Sequence, residues 1–223
     1  MGSRDLGWSE FTIGELLQAG SIELHKDGNY GALYPRVQDF GNEGVPFLTA
    51  KLVDDAGRIN IDGAPRLSTA KASRLRFGFV KANDVLLSHN ATIGRVAVVP
   101  EFEGPLLIGT SLTSFRLNSS VLLPEYLAAF FRGRYFQDQL SAVMGLSTRS
   151  QAPITTQRSL HVIVPPVKTQ AAIASTLRCF DDQIDNLHQT NAILESIAQA
   201  LFKSWFVDFD PVRAKAEGRE PEG

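Results

Sequence analysis

TQAAIASTLRCFDDQIDNLHQTNAILESIAQALFKSWF, residues 169–206, is the stretch that decides the fold. Ile173, Phe180, Leu187, Leu194 and Leu201 recur every seven residues, and Leu177, Ile184, Asn191, Ala198 and Trp205 follow each by four. These are the a and d positions of five heptads, the signature of a helix that lays one apolar seam against a partner. Asn191 is the polar exception, and a buried Asn at such a position fixes register and pairing. A helix from Thr169 to Phe206 would be about 55 Å long at roughly 1.5 Å per residue. One seam of that length needs a partner helix. Asp208 and Asp210-Pro211 are expected to end it, because a residue before proline avoids helical geometry. Beyond it, Arg213–Gly223 is charged, bears Gly and Pro, and reads as a disordered tail.

The chain before this helix has a different texture. Residues 8–18 read as an extended entry and a helical turn. Residues 19–75 are rich in Gly, Asp, Asn and Pro, with short strands expected around Pro46–Leu52 and Arg58–Ile61. From 77 to 117 come short β-branched or aromatic runs: Phe77–Val80, Val85–Ser88, Arg95–Val99, Leu106–Ile108 and Ser114–Leu117. Turn residues separate them, which predicts a mostly antiparallel sheet. Pro124 opens a helix carrying Leu127, Phe130, Phe131 and Leu140, Ser147–Gln151 is a polar loop, and Leu160–Val164 is a last strand. The expected fold is α+β: a loop-rich, mostly antiparallel domain with short helices over 1–166, one coiled-coil-type helix over 167–208, and a charged flexible tail over 209–223.

Composition narrows the function. The 223 residues are 43% hydrophobic and 21% charged with net charge −2, so this is no protein that coats DNA by bulk charge. Charge is unevenly spread: residues 1–166 hold 16 Lys+Arg against 15 Asp+Glu (+1), and 167–223 hold 6 against 9 (−3). Arg66, Lys71, Arg74, Arg76 and Lys81 lie between Asp62 and Asp84 with no acid among them. Such a strip on a near-neutral domain suits a binder that takes part of its affinity from phosphates. The alternative reading of the strip is an ordinary solvated face. No run of 18 apolar residues exists, and Met1–Trp8 has no signal-peptide core, so no membrane association and a cytoplasmic location are expected. The single cysteine, Cys179, excludes an internal disulfide and a multi-cysteine metal site.

Three ordered stretches carry a resemblance. Asn83-Asp84-Val85-Leu86-Leu87-Ser88-His89-Asn90-Ala91-Thr92-Ile93-Gly94-Arg95 is similar to the strand–turn–strand signature of type I restriction–modification specificity (S) subunits. Ile163-Val164-Pro165-Pro166, Gln170, Ile173-Ala174, Leu177, Phe180-Asp181-Asp182 and Ile184 resemble the junction where that family's recognition domain enters its spacer helix. Thr169 stands where an acid is common and Phe180 where leucine is usual, and neither disturbs the heptads. Leu201-Phe202-Lys203-Ser204-Trp205-Phe206-Val207-Asp208-Phe209-Asp210-Pro211 is very like the end of that helix. The resemblance implies a non-catalytic reader of one half of a split double-stranded DNA target. Its partners would be methyltransferase and restriction subunits, with the helix as a ruler. One domain and one helix make half of the family's two-domain arrangement, hence either an N-terminal fragment or a natural half-subunit, and a homodimer through the helix is expected.

The chemistry that is missing agrees. The single Pro-Pro, Pro165-Pro166, lies between valines, unlike a methyltransferase motif, and no Gly-x-x-x-x-Gly-Lys-Ser/Thr loop is present. His25, His89, His161 and His188 are scattered without ligand spacing, and the acid pairs Asp54-Asp55 and Glu101/Glu103 read as turn and loop solvation. No catalytic residue, metal or cofactor is expected. For DNA contact the candidates are Lys71 and Arg74 of the basic strip, and the loop Thr148-Arg149-Ser150-Gln151. Tyr30, Tyr34 and Arg36 of the early Gly-rich loop are added to them. Arg and Gln can bond two atoms of a guanine or adenine edge, and Ser and Thr suit phosphates. A helix-paired scaffold or inactive fragment without DNA affinity is the competing reading.

Overall fold

The structure is a computed structural model that describes residues 7–90, 92–145 and 151–219. It divides into two compact units, one up to Ser175 and one from Thr176 onward.

In the first unit β1 (Ser9–Thr12) runs directly into α1 (Ile13–Gln18). Thr12 caps the helix: its Oγ1 accepts from the Glu15 amide at 3.1 Å, and the Glu15 carboxylate accepts from the Thr12 amide at 2.6 Å. β2 (Ile22–Asp27) follows, then β3 (Phe40–Gly41), β4 (Val45–Leu48), β5 (Arg66–Leu67), and the single turn α2 (Thr69–Ala72). Next come β6 (Val85–Ser88), β7 (Val96–Val98), β8 (Leu107–Ile108) and β9 (Leu112–Leu117). The helices α3 (Pro124–Arg132) and α4 (Arg134–Gly145), the turn α5 (Ile154–Gln157), and β10 (His161–Val164) complete the unit.

The strands form three sheets. One is β2-β9-β6-β7, antiparallel throughout; the second is β3-β5-β4-β8, with only β4–β8 parallel; the third is the β1–β10 pair, which brings residues 9–12 beside 161–164. β6 is covered on both sides, which is why VLLS reads as an unbroken apolar run rather than alternating. Val85 and Leu87 join the larger core with Phe115, Leu127, Phe131 and Phe136, while Leu86 enters a second core with Leu48, Val53, Val99 and Ile108.

Several sequence expectations change here. Phe77–Val80 is no strand; Phe79 makes one isolated bridge to Leu107. Around 46–52 the strand stops at Leu48 and Ala50–Leu52 turns as 3-10 helix, while Ile59 only bridges Val53. β2, hidden inside the loop-rich stretch, is a full partner of β9, with a register shift between Ile22 and Leu24 that breaks its alternation. Helix 124–145 is broken at Gly133, whose backbone is extended.

The long helix α6 spans Val167–Phe202, 36 residues and about 54 Å at roughly 1.5 Å per residue. Its first turns are stitched into the first unit by Gln170, which is fully buried. The Gln170 Oε1 accepts from the Leu123 amide at 2.9 Å, and its Nε2 donates to the carbonyls of Val121 (2.9 Å) and Pro165 (2.8 Å). Ile173, the first seam residue, packs on the larger core of that unit. In the second unit the seam is bare: Leu177, Phe180, Ile184, Leu187, Leu194, Leu201 and Trp205 are all exposed, as are Asn191 and Ala198. The helix closes in a π-turn over Lys203–Val207, and the reversal comes at Phe209, whose φ of 54° is left-handed. Where the sequence predicts an unstructured tail, α7 (Asp210–Ala216) forms instead. Pro211 starts that helix rather than stopping the previous one, since its missing N–H falls among amides that have no intrahelical partner. Among the described residues no helix is long and apolar enough to cross a membrane.

Candidate nucleic-acid interface

The second sheet carries a small aromatic core: Tyr30, Phe47, Leu67, Leu75 and Leu107, with Phe40, Phe77 and Phe79 packed on it. Tyr30 belongs to this core. Its ring stacks on Phe77 at 5.2 Å and its hydroxyl donates to the Ile108 carbonyl at 2.7 Å. Burial pushes its phenol above the ordinary range. Gly78, at φ +83°, makes room for that hydroxyl, which would lie 2.1 Å from any Cβ there. The hydroxyl the sequence offers for DNA contact is therefore turned inward. Tyr34 sits at the rim, edge-on to Phe47 at 6.2 Å and partly exposed. Lys26 completes the rim with its Nζ 4.7 Å from the Phe77 ring centre, a placement no sequence motif announces.

Two of the sequence-predicted groups meet at this rim. Residues 37–39 make a 3-10 turn closed by Asp39, whose carboxylate accepts from the Arg36 amide at 2.7 Å. That amide, and more weakly Lys71, hold the Asp39 carboxyl below the usual carboxylate range. Lys71 Nζ stands 3.4 Å from Asp39 and its side chain is only 14% exposed. The cation named first for DNA contact is thus engaged within the fold. Arg74 and Arg76, one turn further on, are exposed and lie in no ion pair among the described residues. Arg36 is exposed as well. The early loop and the basic strip, some 35 residues apart in sequence, become neighbours because β5 pairs with β3 and the Ser68 amide donates to the Asp39 carbonyl at 2.9 Å.

The third group is not brought to them by any described contact. Thr148, Arg149 and Ser150 lie outside the described residues. Gln151 is half-buried, and its neighbour Ala152 donates its amide to the His89 carbonyl at 3.2 Å. Here sequence reasoning missed a buried relay. His25 Nε2 lies 3.0 Å from Gln157 Oε1, and Gln157 Nε2 donates to Ala152 O at 2.7 Å and Thr113 Oγ1 at 3.0 Å. Thr113 Oγ1 in turn stands 2.8 Å from His89 Nδ1. The directions follow from donors and acceptors. The Ala152 carbonyl forces the Gln157 amide nitrogen toward it, so Gln157 Oε1 is left to accept and His25 must carry its proton on Nε2. Burial is the main cause that lowers both imidazoles, His25 to about 4, so that His25 is neutral at pH 7. The scattered histidines thus include a linked pair that serves packing. The only sequence signal was β2, since recognising it would have faced His25 inward.

The 83–95 signature is a hairpin with a built-in clamp. Asn83 takes a left-handed φ of 69°, and Asp84, nearly fully buried, receives both Arg116 Nε at 2.8 Å and Nη2 at 2.6 Å. Gly94, at φ +84°, leaves room for Gln137, whose Nε2 donates to its carbonyl at 3.0 Å. Of the acids read as turn and loop solvation, Asp54 pairs with Arg58 and Asp55 with Arg95, each at 2.8 Å.

Arg36, Arg74 and Arg76 are exposed, and exposed guanidinium groups are the kind that pair with a phosphate backbone. Residues 6–196 match the family described as type I restriction modification DNA specificity domain. The MjaIX type I restriction enzyme specificity subunit of Methanocaldococcus jannaschii is 32% identical over 183 residues, covering 80% of this chain and 40% of that protein. The HindI specificity subunit of Haemophilus influenzae is 36% identical over 143 residues, covering 62% and 31%. The HsdS subunit of Thermoanaerobacter tengcongensis superposes with a TM-score of 0.59 over 92% of this chain and 47% of that one; at 20% identity this shows a shared fold. The chain spans less than half the length of each.

Proposed function

Because the chain belongs to the type I restriction modification DNA specificity family, we propose that it reads one half of a bipartite DNA target for a methyltransferase and restriction complex. The observation that carries this reading is the family match, which runs through the domain and well into the long helix. In this reading residues 1–166 bind double-stranded DNA and make no covalent chemistry. Residues 167–208 serve as spacer and pairing helix, and 209–223 lead away from it. Arg36, Arg74 and Arg76, all exposed, supply phosphate contacts whose strength falls with salt as counterions are released. The 36-residue helix supports the ruler role, since its length of about 54 Å exceeds the roughly 34–36 Å between half-sites one DNA turn apart. Its bare seam supports pairing, either with a second copy or with a second half.

Mapping of methylated bases in cells that express the chain with its methyltransferase subunit is the test. A split motif that disappears when this chain is removed is the expected result, and a palindromic one means that two copies act as a twofold pair. A complex that forms, methylates, and yields the same motif without this chain overturns the reading.

A further inference from the structure

Val37 is 92% exposed, the most open large apolar side chain among the described residues, and it sits between exposed Arg36 and Gln38. A lone surface valine needs no explanation by itself. Its mount does. Residues 37–39 form a closed 3-10 turn in which Asp39 accepts from the Arg36 amide at 2.7 Å and returns its own amide to the Arg36 carbonyl at 2.8 Å. The turn is then tied to the sheet from two more sides, by Ser68 N on the Asp39 carbonyl at 2.9 Å and by Lys71 Nζ near the Asp39 carboxylate at 3.4 Å. The chain before it is pinned by Tyr30, whose hydroxyl is anchored on Ile108. A turn held this firmly fixes the backbone from which three successive side chains project while burying none of them. The Gln38 side chain has no hydrogen-bond partner among the described residues, so both ends of its amide are unused.

We infer that Arg36-Val37-Gln38 is a base-reading tip that enters the major groove, with Gln38 on an adenine edge and Val37 against the methyl group of a thymine. The inference rests on the DNA-recognition reading above. Its chemistry is specific: the carboxamide offers one donor and one acceptor in the spacing that adenine N7 and its amino group present, and only thymine places a methyl in that groove. Arg74 and Arg76, exposed and close in sequence to the Lys71 that holds the turn, serve as phosphate ligands in this scheme, and the firmness of the mount limits the backbone entropy lost on engagement. Lys71 is a positioning residue in this scheme. It holds Asp39, and through it the turn, without touching DNA itself.

Methylation mapping in cells that express the full chain with its methyltransferase subunit tests this. Gln38→Ala is expected to leave methylation in place while one A·T position of the motif relaxes, by about 5- to 150-fold in discrimination. Gln38→Glu, the same shape without the donor, shifts that position away from adenine, and Val37→Ala weakens the preference at the same or the adjoining base pair. Lys71→Gln relaxes the same position as the Gln38 variants, and Lys71→Arg restores it. A merely structural role would instead lower methylation at every site alike. Because Val37 and Gln38 are exposed, thermal melts of their variants match the parent. If the parent chain directs no motif, both the inference and the reading beneath it fail. If the parent has a motif and both Gln38 variants reproduce it, or lose methylation evenly at all positions, the inference fails while the reading stands.

Discussion

Replacing Gln157 by leucine removes the centre of the buried relay with almost no change in side-chain volume. Gln157 is fully buried and joins three partners: the His25 imidazole at 3.0 Å, Thr113 Oγ1 at 3.0 Å and the Ala152 carbonyl at 2.7 Å. Thr113 keeps a partner in His89, but the His25 N–H and the Ala152 carbonyl are stranded without water. Each unsatisfied buried group costs about 1–3 kcal/mol, so Gln157→Leu is expected to destabilise the first unit by roughly 4 kcal/mol. That is a large share of the ~5–15 kcal/mol that holds a domain of this size together. Urea unfolding followed by far-UV circular dichroism reads the effect as a lower midpoint at unchanged slope. Gln157→Glu is a second probe, since it keeps the acceptor for His25 but places a carboxylate against Ala152 O. A loss below about 1 kcal/mol for Gln157→Leu would refute the argument that these bonds hold the 152–157 segment to β2 and the 83–95 hairpin.

Three further outcomes are expected. His25 has its pKa lowered to about 4 from an ordinary 6.5, so the fold favours its neutral form; that stabilisation is complete above pH 6.5 and is lost as pH falls toward 4. The shift is worth up to about 3 kcal/mol, and urea midpoints taken from pH 7.5 to 4.5 should decline less steeply in His25→Asn than in the parent. Arg116→Met leaves the nearly buried Asp84 carboxylate without its counter-charge, with the Lys81 amide still bonded to it, and should cost about 3 kcal/mol, with much of it recovered on adding Asp84→Asn; equal melting of parent and single variant would sink this. Arg74→Ala should weaken DNA binding evenly across sequences and lower the salt slope by about 1, whereas Lys71→Gln should leave that slope in place; fluorescence anisotropy over a salt series separates them.

Much of this protein was legible in its sequence, and the reason lies in how local the signals are. The heptads of residues 173–205 and the apolar run of β6 depend on periodicity alone, which the chain carries whatever surrounds it. Pro124 and the Val96–Val98 return strand were equally readable. Three ordered motifs placed the chain in its family for the same reason. What tertiary structure alone decided is pairing across long separations. β2 looked like loop because its alternation is interrupted at the register shift, and only its partner β9 makes it a strand. Tyr30 and Lys71 read as surface contacts because their side chains carry polar tips, yet the fold spends those tips on Ile108 and Asp39. The short α7 formed where composition favoured disorder, because Phe209 turned left-handed and freed Pro211 to begin a helix. Local periodicity determined which elements exist. Which polar atoms remain open to a ligand was settled only when residues some thirty to one hundred and thirty positions apart found each other, since a hydrogen bond depends on the partner within reach and not on sequence spacing.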